Sequence, residues 1–479
     1  MVNFGDMRRY RPFDVEDKVS TYEEKLEVFR GRRVLVVGLG RSGVGAARAL
    51  APVAAAVTAC DQKAAGELSA EARELAGAGV ELRPGEQGPD LLTGADLLVR
   101  SPGVPWETQL IAAARGKGVE VIGELELAYR LLVTERVVAV TGSNGKSTTT
   151  ALLGEIFRRA GEDVVVAGNI GVALTAVAAG LEPATTVVAE VSSFQMEDAV
   201  TFRPHVAVLL NLAPDHLDRH GSPAAYYKMK WRLFQNQRPE DYAVLNADDA
   251  SSANRDELRA AVLLFGRGAA PGPGVWLAGD DVAYDVRAQQ GKLSATRDVR
   301  LPGPHNLSNA MAAACAALAM DVPAPAIAEA LREFEGLPHR LEFVAEIEGV
   351  RYVNDSKATN VASALTALAT FEEPVILIAG GKSKGGDFAA LAAAARGKAR
   401  LAVLYGAARD ELAAAFEGIV PLERVDTIKE AVAEAAASAR RGDVVLLSPA
   451  CTSWDQYRDF EERGDDFKKA VAELSREAG

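Results

Sequence analysis

A glycine-rich stretch in the first third of the chain combines the residue types that bind phosphate. It reads Thr-Gly-Ser-Asn-Gly-Lys-Ser from Thr141 to Ser147 and directly follows an apolar run, Val137–Val140. In such a loop the backbone N–H groups surround the phosphates, Lys146 reaches the terminal ones, and the Ser147 hydroxyl can bind Mg²⁺. Val140 stands where the strict pattern has a glycine, so this is a variant of the loop. The sequence therefore predicts a site for a nucleoside triphosphate.

A second glycine motif lies nearer the N-terminus and fits a different phosphate ligand. Gly38-Leu-Gly-Arg-Ser-Gly43 separates an apolar run from an alanine-rich stretch that is typical of a helix, and Asp61 follows the next apolar run. Glycines there let the backbone approach a ligand, while the helix N-terminus attracts phosphate. An acid in the position of Asp61 commonly binds ribose. A nicotinamide cofactor and another nucleotide diphosphate are equally compatible with this motif, and a tight turn without a ligand is the alternative.

Further polar residues follow the phosphate loop along the chain. Glu190 ends an apolar run and could ligate Mg²⁺ beside a triphosphate. His216 lies in a polar stretch just after the next apolar run, and ligands bind at that edge of such sheets. Lys228 and Lys230 belong to an aromatic-rich segment, Tyr226–Phe234, which its composition indicates to be a partly buried helix face. From residue types alone, Glu190 and His216 are candidates for the site and Lys230 is not.

Three polar loops in the last third of the chain each follow an apolar run. They span residues 354–360, 380–387 and 448–454. Because open α/β sheets bind ligands at the C-terminal ends of their strands, we expect these loops to share one ligand. The cations Lys357 and Lys384, together with Arg340 in the preceding Leu-Pro-His-Arg stretch, indicate an anionic substrate. Each of these cations, taken singly, could also be an ordinary surface residue.

Alternating apolar runs and helix-like stretches predict the elements that hold these residues. The alternation restarts near residues 134 and 337, which predicts three α/β domains, each with a mainly parallel, doubly wound sheet. We expect the first and third to be Rossmann-like and the second to resemble a P-loop ATPase. Glycines and prolines between 266 and 301 predict a β-ribbon. The expected segments are a charged extension with a short amphipathic helix, loosely packed on the rest (1–30), and domains at 31–134, 135–336 and 337–479.

The composition limits the class of protein. The 479 residues include 53 Lys and Arg against 66 Asp and Glu, a formal net charge of −13, which argues against nucleic acid as a partner. Hydrophobic residues make up 48% and charged residues 25%, as in a globular protein with a large core. Three widely separated cysteines fit a reducing cytoplasm, and no apolar run approaches the roughly 20 residues that span a membrane. We therefore expect a cytoplasmic protein that is not inserted in a membrane.

Taken together, these motifs resemble the Mur ligases, the ATP-dependent enzymes that extend the peptidoglycan precursor. The resemblance extends from about Gly31 to the C-terminus and rests on the phosphate loop together with Glu190-Val-Ser-Ser-Phe-Gln195, Asp215-His216 and Leu337-Pro-His-Arg340. Two loops, Asn354-Asp-Ser-Lys-Ala-Thr-Asn360 and Ser448-Pro-Ala-Cys451, look like the members that add D-glutamate. The Asp-Asn-Pro-Arg signature of the members that add diaminopimelate or lysine is absent from the sequence.

The resemblance implies a role for each matching residue. The implied ATP-binding residues are Gly142, Ser143, Asn144, Gly145, Lys146, Ser147, Thr148, Asn306, Asn309, Arg340 and Asp355. The implied contacts of a UDP-linked substrate are Gly40, Arg41, Ser42, Asp61, Gln62, Asn169 and Ser192. The implied contacts of D-glutamate are Lys357, Thr359, Lys384, Ser453 and Phe460. The implied metal ligands are Ser147, Glu190, His216 and Lys230 (as a carbamate), and the implied catalytic residues are Lys146, Glu190, His216, Lys230 and Lys357.

The reaction implied by the resemblance joins D-glutamate to UDP-N-acetylmuramoyl-L-alanine, with ATP and two Mg²⁺ ions as cofactors and a monomer as the expected form. The γ-phosphate passes to a carboxylate, the amine of D-glutamate attacks the acyl phosphate, and phosphate leaves. One alternative is a Mur-type ligase that adds another amino acid. Another is a nicotinamide-dependent oxidoreductase, which leaves the phosphate loop unused. The third is an ATP-operated P-loop switch that binds a partner protein.

Overall fold

The computed structural model describes residues 21–249, 253–268 and 272–477. The described chain forms two compact units. One unit holds the residues up to Val299 together with Ser308–Arg332, and the other holds Arg300–Leu307 together with the residues from Glu333 onward. Two sheets lie in the first unit and one in the second, and the strands of all three are mainly parallel. The predicted three-domain α/β fold is thus confirmed.

The first sheet consists of five parallel strands. After the N-terminal helix α1 (Tyr22–Glu27), the elements in chain order are β1 (Arg33–Val37), α2 (Arg41–Leu50), β2 (Ala56–Asp61), α3 (Ala70–Glu74), β3 (Glu81–Pro84), β4 (Leu97–Arg100), α4 (Gln109–Gly116), β5 (Glu120–Gly123) and α5 (Glu124–Leu131). The spatial order of the strands is β3–β2–β1–β4–β5. Because β1 lies between β2 and β4, the glycine motif after β1 is next to the C-terminal ends of both neighbours.

The N-terminal helix is more tightly packed than the charged sequence predicts. Thr21 caps α1, and its hydroxyl accepts a hydrogen bond from the Glu24 N–H at 3.2 Å. Leu26 is 7% exposed and Phe29 is wholly buried, and both belong to the core of the first unit. The expectation of loose packing is therefore wrong for residues 21–30, because two apolar side chains three positions apart face the domain together. The rest of the predicted extension, residues 1–20, lies outside the described chain.

The second sheet has nine strands in the first unit. The elements are β6 (Val137–Thr141), α6 (Lys146–Arg159), β7 (Val164–Gly168), α7 (Leu174–Val177), β8 (Thr186–Glu190), α8 (Ser193–Met196), β9 (Val206–Leu209), α9 (Leu217–His220), α10 (Pro223–Trp231), β10 (Tyr242–Asn246), β11 (Ala261–Gly266), β12 (Gly274–Ala278), β13 (Asp281–Val286) and β14 (Gln289–Ala295), followed by helices α11 (Pro304–Ala319) and α12 (Ala324–Glu333). The spatial order is β14–β13–β12–β11–β10–β9–β6–β8–β7. Strand β13 is antiparallel to both β12 and β14, which confirms the predicted β-ribbon. Because β6 lies between β8 and β9, the loops that follow these three strands meet at one edge.

The third sheet has six strands in the second unit. The elements are β15 (Glu342–Ile347), β16 (Val350–Asn354), α13 (Val361–Thr370), β17 (Val375–Gly380), α14 (Phe388–Ala395), β18 (Ala399–Tyr405), α15 (Arg409–Phe416), β19 (Leu422–Arg424), α16 (Ile428–Ser438), β20 (Val444–Ala450) and α17 (Phe460–Glu477). The order is β15–β16–β20–β17–β18–β19, and only β15 runs antiparallel to its neighbour. Since β20 lies between β16 and β17, the three polar loops predicted to share a ligand are neighbours.

The central strands of all three sheets are buried, which explains their nearly continuous apolar sequences. In β6, for example, every residue from Val137 to Thr141 is wholly buried. A parallel strand covered by helices on both faces needs apolar residues at every position rather than at alternate ones. Among the described helices, none is long and apolar enough to cross a bilayer.

Candidate active site

The loop between β6 and α6 can form only with glycine at two of its positions. Gly142 has φ +155°, and a Cβ built there would lie 2.9 Å from the Leu210 Cβ. Gly145 has φ +84°, and a Cβ there would lie 2.2 Å from Oδ1 of Asn309. Gly145 also begins the 14-residue helix α6, which has no side-chain cap. An uncapped helix start offers its N–H groups and its positive dipole end to a phosphate.

Residues after β9 hold this loop in place. The Ser143 hydroxyl donates to the Ala213 carbonyl and accepts from the Ala213 N–H, both at 2.9 Å. The Asn211 side chain accepts from the Asn144 N–H at 2.9 Å and donates to the Asn144 carbonyl at 3.1 Å. Hydrogen bonds within the protein therefore hold the phosphate loop in place, and the Ser143 hydroxyl makes two of them.

Two predicted ATP-binding hydroxyls lie in the first turn of α6. Ser147 is 6% exposed and Thr148 is 2% exposed. The Thr148 Oγ1 has no hydrogen-bond partner within residues 21–249, 253–268 and 272–477. A buried hydroxyl without a partner has lost the hydrogen bonds that it made to water, so this oxygen is suited to a polar group of a ligand.

Lys146 and Lys230 converge on the same part of the loop. The Lys146 Nζ donates to the carbonyl oxygens of Gly142 at 2.8 Å and Ser143 at 3.0 Å. Lys230 reaches the loop from α10, and its Nζ donates to the Gly142 oxygen at 2.8 Å. Lys230 is 1% exposed, and its Nζ lies 4.5 Å from the centre of the Tyr226 ring. The composition of α10 predicted a partly buried helix face, whereas the tertiary structure brings Lys230 to the phosphate loop.

Burial changes the protonation of Lys230. Removal from water lowers its pKa to about 6, and the positive charge of Lys146 acts in the same direction. The carboxylates of Asp215 and Glu190 oppose this shift without cancelling it. At neutral pH the side chain is therefore mainly the uncharged amine, which is the nucleophilic form of lysine.

Glu190 is a buried carboxylate at the end of β8. It pairs in register with Val140, the residue just before the phosphate loop segment. Its Oε1 accepts a hydrogen bond from the Asn169 Nδ2 at 2.8 Å, whereas its Oε2 has no hydrogen-bond partner among the described residues. A buried carboxylate oxygen without a donor is unfavourable unless a cation or another donor reaches it. Mg²⁺ commonly binds through one or two carboxylates together with phosphate oxygens. The Glu190 carboxylate beside the phosphate loop therefore fits a magnesium ion.

His216 lies in the same loop region but makes few contacts. It precedes α9 with φ +51°, and its half-exposed ring has Nε2 3.6 Å from Oδ2 of Asp215. The ring packs edge-on against Phe194, with 4.8 Å between ring centres, and lies 6.2 Å from Tyr226. In the described part of the chain, no group of three or more His, Cys, Asp or Glu side chains is close enough to hold a metal ion. A metal here would therefore depend on phosphate oxygens in addition to protein ligands.

The glycine motif of the first sheet is held by side chains from β2 and from the loop after β4. Oδ2 of Asp61 accepts from the Leu39 N–H at 2.6 Å, and the Ser101 hydroxyl donates to the Gly38 carbonyl at 2.7 Å. A Cβ on Gly43 would lie 1.8 Å from the Gly38 oxygen, so this position requires glycine. Ser101 was not a candidate from the sequence. Its only signal there is its place after an apolar strand, which the other loop residues share.

The other residues predicted to contact a UDP-linked substrate lie in three places. The Arg41 guanidinium donates to the Gly171 carbonyl at 2.5 Å, in the loop that also carries Asn169, so these residues come together with Glu190. Ser192 instead caps α8, where its hydroxyl accepts from the Gln195 N–H at 3.3 Å. The rest lie on or next to the glycine motif: Gly40 caps α2, Ser42 lies in its first turn, and Gln62 is exposed after β2.

In the second unit, Asp355 is a buried acid at the end of β16. Burial raises its pKa to about 7, against the opposing effects of the positive charge of Arg340 and a hydrogen bond from the Ser448 hydroxyl at 2.9 Å. Asn306 is also buried, and its side-chain amide donates to the Pro302 carbonyl at 2.8 Å. The acid at Asp355 therefore titrates near neutrality, and Ser448 within β20 holds it in place.

Two of the predicted D-glutamate contacts are lysines that lie over aromatic rings. The Lys357 Nζ is 4.3 Å from the centre of the Phe460 ring, and the Lys384 Nζ is 5.1 Å from the centre of the Trp454 ring. Such contacts attract a cation to the face of the ring. The remaining two predicted residues flank them: Ser453 is buried, and Thr359 is partly buried.

A buried arginine that the sequence analysis missed joins these loops. Arg463 in α17 is wholly buried. Its guanidinium donates to the Ser356 hydroxyl at 2.9 Å, to the Ser356 carbonyl at 2.6 Å and to the Cys451 carbonyl at 3.1 Å. It thus fixes the residue before Lys357 relative to the loop that carries Ser453. Nothing in the sequence distinguishes Arg463 from the other charged residues of this helix.

Models of known families match three successive stretches of the chain. The N-terminal domain of MurD-like Mur ligases matches residues 32–123, the Mur ligase middle domain matches residues 140–317, and the Mur ligase glutamate ligase domain matches residues 339–451. Solved structures with the same fold include MurF ligase from Thermotoga maritima in complex with ADP (TM-score 0.57, 16% identity, 94% of this chain and 99% of that one). Another is a pseudomurein peptide ligase type C from Methanothermus fervidus (TM-score 0.58, 19% identity, 93% of this chain and 100% of that one).

Curated relatives match the chain over nearly its whole length. The UDP-N-acetylmuramoylalanine--D-glutamate ligase of Pelotomaculum thermopropionicum is 46% identical over 454 residues, which is 94% of this chain and 100% of the relative. Proteins of the same name from Myxococcus xanthus and Caldanaerobacter subterraneus are 43% and 42% identical, each over 93% of this chain and 99% of the relative. With its three matched domains, its phosphate loop and these relatives, the chain belongs to the Mur ligase family.

Proposed function

We propose that this protein is the ATP-dependent ligase that adds D-glutamate to UDP-N-acetylmuramoyl-L-alanine, with release of ADP and phosphate. The observation that carries the proposal is the 46% identity over 94% of the chain to a ligase of that name. In this proposal residues 31–134 bind the UDP-linked substrate, residues 135–336 bind ATP and residues 337–479 bind D-glutamate. Family membership decides against the nicotinamide oxidoreductase and the ATP-operated switch. In this proposal the protein works as a monomer in the cytoplasm, and its three free, buried cysteines fit a reducing compartment.

ATP would bind at the phosphate loop. The uncapped start of α6 and the Lys146 ammonium supply positive charge to the phosphates, and the buried Thr148 hydroxyl supplies a further polar contact. The ordered backbone of the loop means that little reorganisation is needed when the triphosphate arrives. Asn309, which lies beside Gly145, belongs to the ATP-binding residues in this proposal.

Magnesium would be held by Ser147, Glu190 and His216, with Lys230 contributing after modification. Bound Mg²⁺ neutralises the negative charge that develops during phosphoryl transfer. The support for Glu190 is its buried Oε2, which has no donor among the described residues. Asn169, which donates to the other oxygen of Glu190, orients that carboxylate.

Lys230 would act as a carbamate. The neutral amine attacks the carbon of CO₂, an N–C bond forms, one C=O electron pair moves onto oxygen, and the nitrogen releases one proton to solvent. The product is an anion with two oxygens, and oxygen is the ligand atom that Mg²⁺ prefers. Burial, which keeps Lys230 mainly uncharged at neutral pH, supports this step.

D-glutamate would bind at the loops of the third sheet. It carries two carboxylates, and Lys357 and Lys384 supply two ammonium groups on neighbouring loops. With the carboxylate of the UDP-linked substrate converted to an acyl phosphate, the amine of D-glutamate forms the C–N bond, and the C–O bond to phosphate breaks. The amine loses a proton in this step, and phosphate leaves with the electron pair.

The test is phosphate release with ATP, UDP-N-acetylmuramoyl-L-alanine and a panel of amino acids. The panel contains D-glutamate, L-glutamate, D-aspartate, L-lysine, L-alanine and meso-diaminopimelate. We expect release with D-glutamate and a product whose mass includes one glutamate residue. Release with a different amino acid would identify another amino-acid-adding Mur ligase. ATP hydrolysis at the same rate without any amino acid would contradict a ligase.

A further inference from the structure

Trp454 is an exposed tryptophan that directly follows three buried residues, Cys451, Thr452 and Ser453. Its exposed fraction is 62%, whereas Ser453 before it is 2% exposed. Tryptophan is largely buried in most folded proteins, so a ring that is left open to solvent at a proposed substrate site calls for an explanation. The loop of Trp454 follows β20, the strand between β16 and β17.

The backbone fixes the loop of Trp454 relative to the loop of Lys384. The Lys382 N–H donates to the Thr452 carbonyl at 2.8 Å, and the Thr452 N–H donates to the Lys382 carbonyl at 3.0 Å. The Thr452 hydroxyl adds a third hydrogen bond to the Lys382 carbonyl at 3.0 Å. Lys384 and Trp454 each lie two residues beyond this bridge, so their backbones are held at a fixed separation.

At this backbone separation, the Lys384 side chain lies over the indole ring of Trp454. Its Nζ is 5.1 Å from the ring centre, within the range of a cation–π contact. Lys384 is exposed, and it forms no ion pair with any residue that the structure describes. Because a free lysine has many rotamers, the ring face restricts the ammonium to one region above the loop. The Phe460 ring restricts the Lys357 ammonium in the same way, with 4.3 Å between the Lys357 Nζ and the ring centre.

We propose that Trp454 is a positioning residue that holds the Lys384 ammonium for one carboxylate of the acidic amino-acid substrate. This inference rests on the proposed function, because it requires D-glutamate as the substrate. Phe460 and Trp454 would then hold one ammonium group each, so that an amino acid with two carboxylates meets two cations already in place. Restricting Lys384 before binding lowers the entropy lost when the substrate arrives.

The test is the steady-state kinetics of four variants at saturating ATP and UDP-linked substrate. Trp454→Ala removes the ring, Trp454→Leu keeps apolar volume without a ring face, and Trp454→Phe keeps a ring face. Phe343→Ala is the control, because Phe343 is a similarly exposed aromatic (61%) in β15 of the same unit. Since Trp454 is largely exposed, its replacement should leave the fold intact, and a melting temperature within the error of the wild type checks this.

We expect the KM for D-glutamate to rise about two- to five-fold in Trp454→Ala and Trp454→Leu, the range of a cation–π contact at an exposed site. The kcat should change less than about two-fold, and Trp454→Phe and Phe343→Ala should behave like the wild type. In a Lys384→Ala background, Trp454→Ala should add no further loss. An unchanged KM in Trp454→Ala, equal values for Trp454→Leu and Trp454→Phe, or a full additional loss in the double variant would each overturn the inference. Absence of turnover with D-glutamate in the wild type would instead contradict the proposed function.

Discussion

Lys146 and Lys230 donate hydrogen bonds to one acceptor, the carbonyl oxygen of Gly142, each at 2.8 Å. Two ammonium groups at one oxygen repel each other, and burial adds to the cost of charging the less exposed one. The pKa of Lys230 falls to about 6 for these reasons, with burial as the larger cause. The phosphate loop thus has one lysine suited to hold phosphate and another suited to react as an amine.

Replacing Lys146 by alanine tests the ATP site. We expect kcat to fall by roughly 10²–10³-fold or more, because the terminal phosphates lose a cation that matters most during transfer. The melting temperature should change little, because the partly buried Lys146 side chain donates to carbonyl oxygens of its own loop and does not belong to an apolar core. Lys228→Ala, an exposed lysine of α10, is the control and should remain active. Near-normal turnover in Lys146→Ala would contradict the site.

Chemical rescue tests the carbamate. Lys230→Ala should be nearly inactive, and formate or acetate at high concentration should restore part of the turnover by placing a carboxylate in the vacated space. Lys230→Arg should be inactive and should not respond, because arginine keeps its positive charge and does not react with CO₂. Lys228→Ala serves again as the control on the same helix. Full activity of Lys230→Arg would show that Lys230 has only a structural role.

The lowered pKa of Lys230 predicts how stability depends on pH. Between about pH 6 and pH 10 the unfolded chain binds one more proton at this lysine than the folded chain does, so the stability of the wild type should rise with pH. Lys230→Met has no group that titrates at this position. Its free energy of unfolding at pH 7 should therefore be higher than that of the wild type. Between pH 7 and pH 9, the free energy of unfolding of the wild type should rise relative to that of the variant by about 1.4 kcal/mol per pH unit. Urea unfolding in buffer free of CO₂ measures the slope, and a difference independent of pH would contradict the shift.

Phe29, just after α1, tests whether the N-terminal segment belongs to the core. Phe29→Ala should lower the free energy of unfolding by about 3–5 kcal/mol, because the side chain is wholly buried. Val28→Ala is the matched control, since the neighbouring side chain is 44% exposed and its loss should cost less than about 1 kcal/mol. Urea titration of both variants makes the comparison. Equal, small effects would support the loose extension that the sequence predicts.

Local patterns were sufficient to predict the sheets and the phosphate loop. The run from Val137 to Lys146 combines a buried strand, glycines and a helix start, and each of these signals lies within a few residues of the next. The same holds for Gly43, where a Cβ would lie 1.8 Å from the carbonyl oxygen of Gly38 in the same motif. The burial of Phe29 was missed because the core that it joins includes residues far along the chain.

The side chains that complete the site depend on tertiary contacts and could not be predicted in the same way. Lys230 is an ordinary lysine of an aromatic helix until α10 packs beside the phosphate loop. Arg463 acts through Ser356 and Cys451, two residues from different loops. Trp454 gains a role only because Lys384 lies over its ring. For each of these three residues, the residue type can be read from the sequence. The contacts of its side chain depend on which strands and helices are neighbours in the fold.

An oxygen-18 transfer experiment tests the central claim most directly. UDP-N-acetylmuramoyl-L-alanine with both carboxylate oxygens labelled is incubated with ATP, Mg²⁺ and D-glutamate in unlabelled water, and the released phosphate is analysed by mass spectrometry. If the carboxylate is activated as an acyl phosphate, one labelled oxygen leaves with phosphate for each amide bond formed. We therefore predict one oxygen-18 atom per released phosphate, and only when D-glutamate is present. Unlabelled phosphate would show that water attacks ATP directly and would contradict the ligase mechanism.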